Sequence, residues 1–422
     1  MSKDKKILPE LRFPEFSNNE TWADRKLSDV LYEHKEKSTG NEEVYSVSVH
    51  KGVINQIEHL GRVFAASNTE NYKRVLPGDI IYTKSPTGDF PLGIIKQSKV
   101  SKPVIVSPLY GVFKPETTDL GVILEAYFEY PERTINYLSS IVQKGAKNTI
   151  NIHNDTFLSK SLVLPLDKKE QRKIASCLSS LDDVIITHSK KLDLLKEHKK
   201  ALIQDFFPKE GEKEPRYRFK EFKKDGIWKQ DTIKKAFSIF QGYAFSSNDS
   251  VSSGTRWLKI ADVGIQEMKN DTPTFLPPTF KEEYKNFLVN KGDYVLALTR
   301  PILNMKLKIA RIDDVFDNAL LNQRVGKIVT TNESSFIYYL LQTREMIENI
   351  NKHIAGNEPP NLSFNQIENL KVFLPPTLLE QKKIASCLSS LDEIIKAQME
   401  LIEQLKLHKK GLTQWLLPQT ID

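Results

Sequence analysis

Two stretches of this sequence gather the side chains that hydrogen-bond to phosphates and to base edges. The first is Lys84-Ser-Pro-Thr-Gly-Asp-Phe-Pro-Leu-Gly93, with Arg74 shortly before it and Lys96 after it. The second is Arg300-Pro-Ile-Leu-Asn-Met-Lys-Leu-Lys308. Each follows a Gly-Asp pair that opens an apolar run, Pro77-Gly-Asp-Ile-Ile-Tyr82 and Lys291-Gly-Asp-Tyr-Val-Leu296. Arg, Lys, Asn, Gln, Ser and Thr supply the donors and acceptors that nucleic-acid recognition needs. The candidate contacts are therefore Arg74, Lys84, Ser85, Thr87 and Lys96 in the first half, and Arg300, Asn304, Lys306 and Lys308 in the second. Gln241 and Tyr243, from Gln241-Gly-Tyr-Ala-Phe245, join them, as do Gln323 and Arg324. For any single residue a solvated loop is the simpler explanation. Corresponding basic loops in both halves make the set harder to dismiss.

Catalytic patterns are missing. The chain has neither the Gly-x-x-x-x-Gly-Lys-Ser/Thr phosphate loop nor a dinucleotide fingerprint. An amino-methyltransferase would carry Asn/Asp-Pro-Pro and an aromatic, whereas Asn357-Glu-Pro-Pro-Asn361 has an inserted Glu and no aromatic, so it reads as a loop before the second long helix. Glu283-Tyr-Lys285 matches half of a nuclease motif, which 61 basic residues produce by chance. Eight scattered His residues show no ligand pairs, and His198 and His408 fit solvated helix faces. No metal is expected. Cys177 and Cys387 are too few for a disulfide framework and are expected to be small buried hydrophobes.

The 422 residues allow two or three domains, and an apolar content of 39% with 27% charged residues is that of a folded protein. Basic residues exceed acidic ones by 7, which suits a polyanionic partner without proving one. No segment approaches the ~18 apolar residues of a membrane span, and the first residues lack a secretory apolar run. A reduced, cytoplasmic protein with no membrane partner is expected.

The elements that position these loops come from a duplication. Residues 170–186, EQRKIASCLSSLDDVII, match residues 380–396, EQKKIASCLSSLDEIIK, at thirteen of seventeen positions with an offset of 210. The match continues without a gap to Pro208 and Pro418. Asp167 and Thr377 stand three residues before Glu170 and Glu380, the spacing of a capping box. Apolar residues recur alternately at four and three: Ile174, Leu178, Leu181, Ile185, Leu192, Leu195 and Leu202, repeated as Ile384, Leu388, Leu391, Ile395, Ile402, Leu405 and Leu412. His188 and Lys199 interrupt the first seam where Gln398 and Lys409 interrupt the second. These are coiled-coil seams, and equivalent surfaces of a duplicated chain pair best about a pseudo-two-fold axis, which makes the helices antiparallel. Packing of each seam on its own domain is the rival. A helix over 168–206 would be about 58 Å long at 1.5 Å per residue, the length of roughly 17 base pairs.

Upstream the two copies have diverged. Arg12-Phe-Pro-Glu-Phe16 aligns with Arg218-Phe-Lys-Glu-Phe222, and Trp22 with Trp228. Val44–Val49 alternates as a half-buried strand should. Further strands are expected over Asp79–Thr83, Val104–Val106, Gly111–Phe113, Trp257–Ile260, Tyr294–Leu298, Lys308–Ile312 and Val325–Val329, with helices near 120–143, broken at Pro131, and 334–354. The fold class is α+β: two α/β-type domains separated by two long helices packed as an antiparallel coiled coil, with a pseudo-two-fold internal repeat. The expected boundaries are 1–166 and 217–376 for the domains, 167–208 and 377–422 for the helices, and 209–216 for a polar linker.

With these features in hand, the chain resembles the specificity subunits of type I restriction–modification systems over essentially its whole length. The likeness rests on Pro-x-x-Glu-Gln-x-Lys-Ile-Ala at the helix entrances, here Pro165 with Glu170–Ala175 and Pro376 through Ala385, on Gly78-Asp79 and Gly292-Asp293, and on the two-copy order. It implies two target-recognition domains, each reading half of a bipartite, asymmetric target in double-stranded DNA, on a non-catalytic subunit. It also implies two methyltransferase subunits and restriction subunits as partners, carrying S-adenosylmethionine, ATP and Mg, with no cofactor on this chain. The first loop is richer in proline than the family's Gly-Thr-x-Gly, and the second, Pro301-Ile-Leu-Asn-Met, has no Gly. A protein-interaction scaffold that never touches DNA is the alternative. A self-sufficient nuclease or methyltransferase ranks third.

Overall fold

A computed structural model describes residues 8–18, 22–60, 69–144, 150–354 and 359–418. These fall into two compact units, residues 1–189 with 400–422, and residues 190–399. The division therefore runs through both long helices, Lys168–Phe206 and Leu378–Leu416, each 39 residues.

The first unit is built on an antiparallel sheet of four strands in the order Leu31–Glu33, Gly111–Pro115, Ile80–Tyr82, Ile95–Gln97. The second repeats that order with Ser238–Gln241, Val325–Val329, Tyr294–Ala297 and Ile309–Arg311. The duplication thus extends through the diverged domains. Each Gly-Asp pair has the same job in these sheets. Gly78 (φ 88°) and Gly292 (φ 95°) adopt the left-handed backbone of a tight turn, and Asp79 and Asp293 accept the N–H of Leu76 and Asn290 at 2.7 and 2.9 Å.

Both faces of each sheet are covered. Ile80 and Tyr82 pack with Phe113, Phe128 and Phe157, while Ile81 joins Val47, Val75, Val104 and Val112 on the other side. In the second unit Leu296 packs with Phe336, Ile337 and Ile350, and Val295 and Ala297 with Leu258, Phe316 and Leu321. Two-sided burial explains why the strict alternation read at Val44–Val49 does not appear as alternating exposure: within the observed strand, Tyr45–Ser48, Ser46 and Val47 are both buried. The expected helices form as Thr118–Phe128, capped by Thr117, then Pro131–Leu138, and as Ser334–Leu340 and Arg344–Ile354. Proline pre-sets the first turn of the second helix.

The helix entrance is the most strongly tied feature of each unit. Asp167 accepts the N–H of Lys169, and Thr377 that of Glu380, as N-caps do. Glu170, fully buried, accepts from Arg12 Nε and Nη2 at 2.6 and 2.7 Å and from the Trp22 indole at 3.0 Å. Glu380 repeats this with Arg218 at 2.8 and 2.9 Å and Trp228 at 3.1 Å. The adjacent Gln171 holds the Pro165 carbonyl and Thr117, and Gln381 holds Asn332 and Glu333. The Arg-Phe-x-Glu-Phe opening and the Glu-Gln pair are thus two halves of one fastening, separated by more than 140 residues.

All fourteen apolar seam positions are buried or half-buried. Within the first unit Ile174 and Leu178 share a cluster with Leu412, Leu416 and the domain residues Leu120 and Leu124. Within the second, Leu202, Ile203 and Phe206 share one with Ile384, Leu388 and Trp228. The helices run antiparallel in each unit, and their ends pack both on each other and on the domain, so the two readings of the seam coexist there. The polar interruptions Lys199 and Lys409 are buried ion pairs. Lys409 reaches Asp182 and Glu129, both at 2.6 Å, and Lys199 reaches Asp392 at 2.5 Å with Gln266 at 2.8 Å. Cys177 and Cys387, expected to be buried, are half-buried, Cys387 packed against the core of the second unit, and burial pushes both thiols upward. His198 and His408 are exposed, as expected.

Candidate nucleic-acid interface

In the second unit four separate segments converge beyond the strand Tyr294–Ala297. Backbone hydrogen bonds bring them together: Leu298 N–H to the Arg324 carbonyl, Arg300 N–H to Pro360, Asn322 N–H to Leu258, and a bridge between Thr299 and Asn361. They form an open cleft of about 340 Å³ lined by Arg300, Lys308, Arg324, Thr299, Ile260, Ala261 and Pro359. Among the described residues no acidic side chain lines it, and none of the three cations forms an ion pair. Lys308 donates to the Ile260 carbonyl at 3.3 Å, and burial, then Lys269, pulls its ammonium below the ordinary lysine range. Such a site gains on meeting an anion, because the cation is already desolvated and uncompensated.

The remaining candidates of the second half stand around this cleft. Gln241 donates to the Gln323 carbonyl at 2.7 Å, the Gln323 N–H donates to the Tyr243 carbonyl, and the Tyr243 N–H donates to that of Leu321, bridging Tyr243 to Asn322. Gly242 makes this approach possible, since a Cβ there would collide with the Leu321 carbonyl. Tyr243 is exposed and packs at tilted angles against Phe245, Tyr284 and Phe287. Asn304 and Lys306 are exposed on a two-stranded hairpin, Ile302–Leu303 with Lys306–Leu307. The loop without glycine turns by placing Asn304 (φ 50°) and Met305 (φ 55°) in the left-handed region.

The first unit behaves differently. Lys96, expected to reach DNA, is buried and faces Glu125 and Glu129 at 3.7 and 3.8 Å, which corrects that assignment. Its strand is covered on both faces, so a basic residue just beyond a loop points inward. Arg74 is likewise tied to Glu36 and Glu42, at 3.2 and 2.9 Å, and its charge is already compensated. Lys84 (φ 54°) is half-buried, and desolvation followed by Lys73 lowers its ammonium. Ser85 and Thr87 are exposed on a turn closed by the paired backbone bonds of Thr87 and Phe90. Sequence reasoning missed Thr299, Ile260 and the Pro359–Asn361 wall, the last read only as a loop, with residues 357 and 358 outside the described part. Among the described residues no group of His, Cys, Asp or Glu could hold a metal, and no helix is long and apolar enough to cross a membrane.

Comparison with known proteins adds independent support. A profile of the type I restriction modification DNA specificity domain matches residues 203–407. The MjaVIII type I restriction enzyme specificity subunit of Methanocaldococcus jannaschii is 31% identical over 288 residues, 66% of this chain and 66% of that protein. The EcoAI specificity subunit of Escherichia coli is 30% identical over 174 residues, 40% of this chain and 28% of that one. The alignments thus span less than two thirds of these relatives' lengths. Among solved structures, the S subunit of a type I restriction–modification system from M. genitalium superposes with a TM-score of 0.60 at 12% identity, covering 98% of this chain and all of that one. A chain from a study of complex assembly and conformational transition in the type I system gives 0.52 at 14% identity, over 95% and 99% of the two chains. At these identities the likeness establishes the fold.

Proposed function

The chain belongs to the family of type I restriction–modification DNA specificity subunits, and on that footing we propose that it reads a bipartite, asymmetric sequence in double-stranded DNA. Each domain, 1–166 and 217–376, reads one half-site, and the long helices, 167–208 and 377–422, fix the spacing. Two methyltransferase subunits dock on this frame and recruit restriction subunits. S-adenosylmethionine, ATP and Mg belong to those partners, and the assembly works in the cytoplasm.

The observation that carries this reading is the convergence of Arg300, Lys308 and Arg324 on one cleft with no carboxylate among its described lining residues. Three cations lining one cleft favour an anionic or acceptor-rich partner, which a phosphate or a guanine edge supplies. Gln241, Tyr243, Asn304, Lys306 and Gln323 are taken as further contacts around it. In the first domain Lys84, Ser85 and Thr87 are the contacts retained. Near-identical helices with diverged readers suit a fixed frame that accepts unlike half-sites.

The test is binding of the assembled complex to duplex DNA over a salt series. Each phosphate contact contributes a slope of about −0.9 in log affinity against log salt, so a handful of contacts gives a steep line. A complex that assembles normally but shows neither sequence preference nor salt dependence would be a protein scaffold instead.

A further inference from the structure

The hairpin that rises beside the basic cleft has a tip whose chemistry the cations do not explain. Ile302 pairs with Leu307 and Leu303 with Lys306, leaving Asn304 and Met305 as a two-residue turn. Both turn residues have positive φ, 50° and 55°, the arrangement that hairpins normally fill with Asn-Gly. Methionine in that position is strained, because its Cβ crowds the following carbonyl. The strain buys exposure: Met305 is 52% exposed and Leu303 54%. The stem is firmly seated, by contrast. Leu307 is buried in the main core with Ile302 packed against it, and the Lys308 N–H closes on the Pro301 carbonyl at 2.7 Å.

A strained turn that presents two apolar side chains from a rigid stem serves no folding purpose in the described structure. Its neighbours identify the occupant. Lys306 is exposed on the hairpin itself, and Arg300, Lys308 and Arg324 lie at its foot around the cleft. Apolar tips flanked closely by cations match one surface well, a stack of bases bordered by phosphates. Leu and Met are among the side chains that proteins insert between base steps, where they unstack the pairs and kink the duplex.

We infer that Leu303 and Met305 form a wedge that enters the base stack of the half-site read by the second domain, with Lys306, Arg300 and Arg324 holding the flanking phosphates. This rests on the DNA-reading function proposed above. The wedge reads how easily a step unstacks, so its preference falls on flexible pyrimidine–purine steps. Sequence would then be selected partly at a step that no polar side chain touches.

The test uses the full chain assembled with its methyltransferase subunits and duplexes carrying the mapped target. 2-Aminopurine is placed at one position at a time through the second half-site, leaving out the adenine that is methylated. The expected result is a several-fold rise in fluorescence at a single step, lost in Leu303→Ala/Met305→Gly. Glycine at 305 relieves the strained φ, so this variant keeps its fold, and melting temperature confirms it. Affinity of the variant for the target should fall about tenfold, a change of about 1.4 kcal/mol. Specific binding with every probe stacked overturns the wedge, as does unstacking that survives in the variant. Loss of binding to vesicles of anionic lipid, with DNA binding unchanged, assigns the tip to a membrane surface and equally overturns it. Absence of any sequence preference in the wild-type complex refutes the underlying reading itself.

Discussion

Removing the Glu170 carboxylate tests how the helix is fastened to its domain. Glu170 is fully buried and accepts two short bonds from the Arg12 guanidinium and one from the Trp22 indole. In Glu170→Ala the guanidinium, whose side chain is only 10% exposed, loses its principal counter-charge, with Asp167 remaining nearby. Breaking a buried pair from one side costs about 3–5 kcal/mol, and the stranded indole N–H adds about 1 kcal/mol. Arg12 sits at the rim and regains some water, which places the expected total near the lower bound, about 3 kcal/mol. For a unit of this size that corresponds to roughly 6–12 °C in melting temperature. Glu170→Gln keeps an acceptor and loses only the charge, so about half of that loss is expected. The assay is urea unfolding combined with hydrogen exchange by mass spectrometry. Peptides around Arg12, Trp22 and Glu170 should lose protection in this variant, and those around Arg218, Trp228 and Glu380 in Glu380→Ala. A cost below about 1 kcal/mol, the range of exposed ion pairs, would refute the reasoning. Loss of protection spread evenly over both units would do the same.

Three further outcomes are expected. Lys409→Met should destabilise by about 3 kcal/mol and Lys199→Met by about half as much, measured by denaturant unfolding. The first removes the 2.6 Å partner that Asp182 and Glu129 share and leaves them only the longer contacts of Lys99 at 3.6 Å and Lys96 at 3.8 Å, whereas the second leaves a single Asp392 that keeps its bond from Tyr339 and is one-third exposed. Alanine at Arg300, Lys308 or Arg324 should weaken DNA binding and reduce the salt slope by about one for each phosphate no longer neutralised, while Lys96→Gln should leave both unchanged and lower stability. The bond to Asp79 holds the His34 imidazole above its ordinary pKa, against a smaller opposing effect of burial. That contribution to stability is complete below the unfolded-state pKa near 6.5 and disappears as pH rises through the raised folded value. Unfolding at pH 6 and pH 8.5 should therefore differ more in wild type than in His34→Asn.

The long helices were legible in the sequence because a 39-residue element repeats its pattern many times, so its period, caps and copy number reinforce one another. Val104–Val106 was read to the residue because an unbroken β-branched run leaves little choice, and Val325–Val329 because Val325, Ile328 and Val329 outweigh the Gly and Lys between them. Lys96 was misread for a tertiary reason. Its partners Glu125 and Glu129 lie about thirty positions further on, in and just after the helix Thr118–Phe128, and nothing local announces them. The pairs Trp22–Lys26 with Ser161–Pro165 and Lys229–Thr232 with Lys371–Leu374 were missed for the same cause, since each strand's partner is more than 130 residues away. Glu170 and Arg12 were both singled out as motif residues, yet that they meet is visible only in the fold. Arg300, Lys308 and Arg324, which line one cleft, had been singled out by residue type, whereas the Pro359–Asn361 wall beside them carried no chemical signal.

The most direct test of two independent readers on one frame is a domain exchange read out as methylation. Residues 8–166 are replaced by the corresponding domain of another family member, the chain is expressed with its methyltransferase subunits, and every methylated adenine in the host genome is mapped. The expected result is a bipartite target in which one half-site changes while the other half-site and the spacing between them stay as they were. A target in which both halves change, or neither does, contradicts the account.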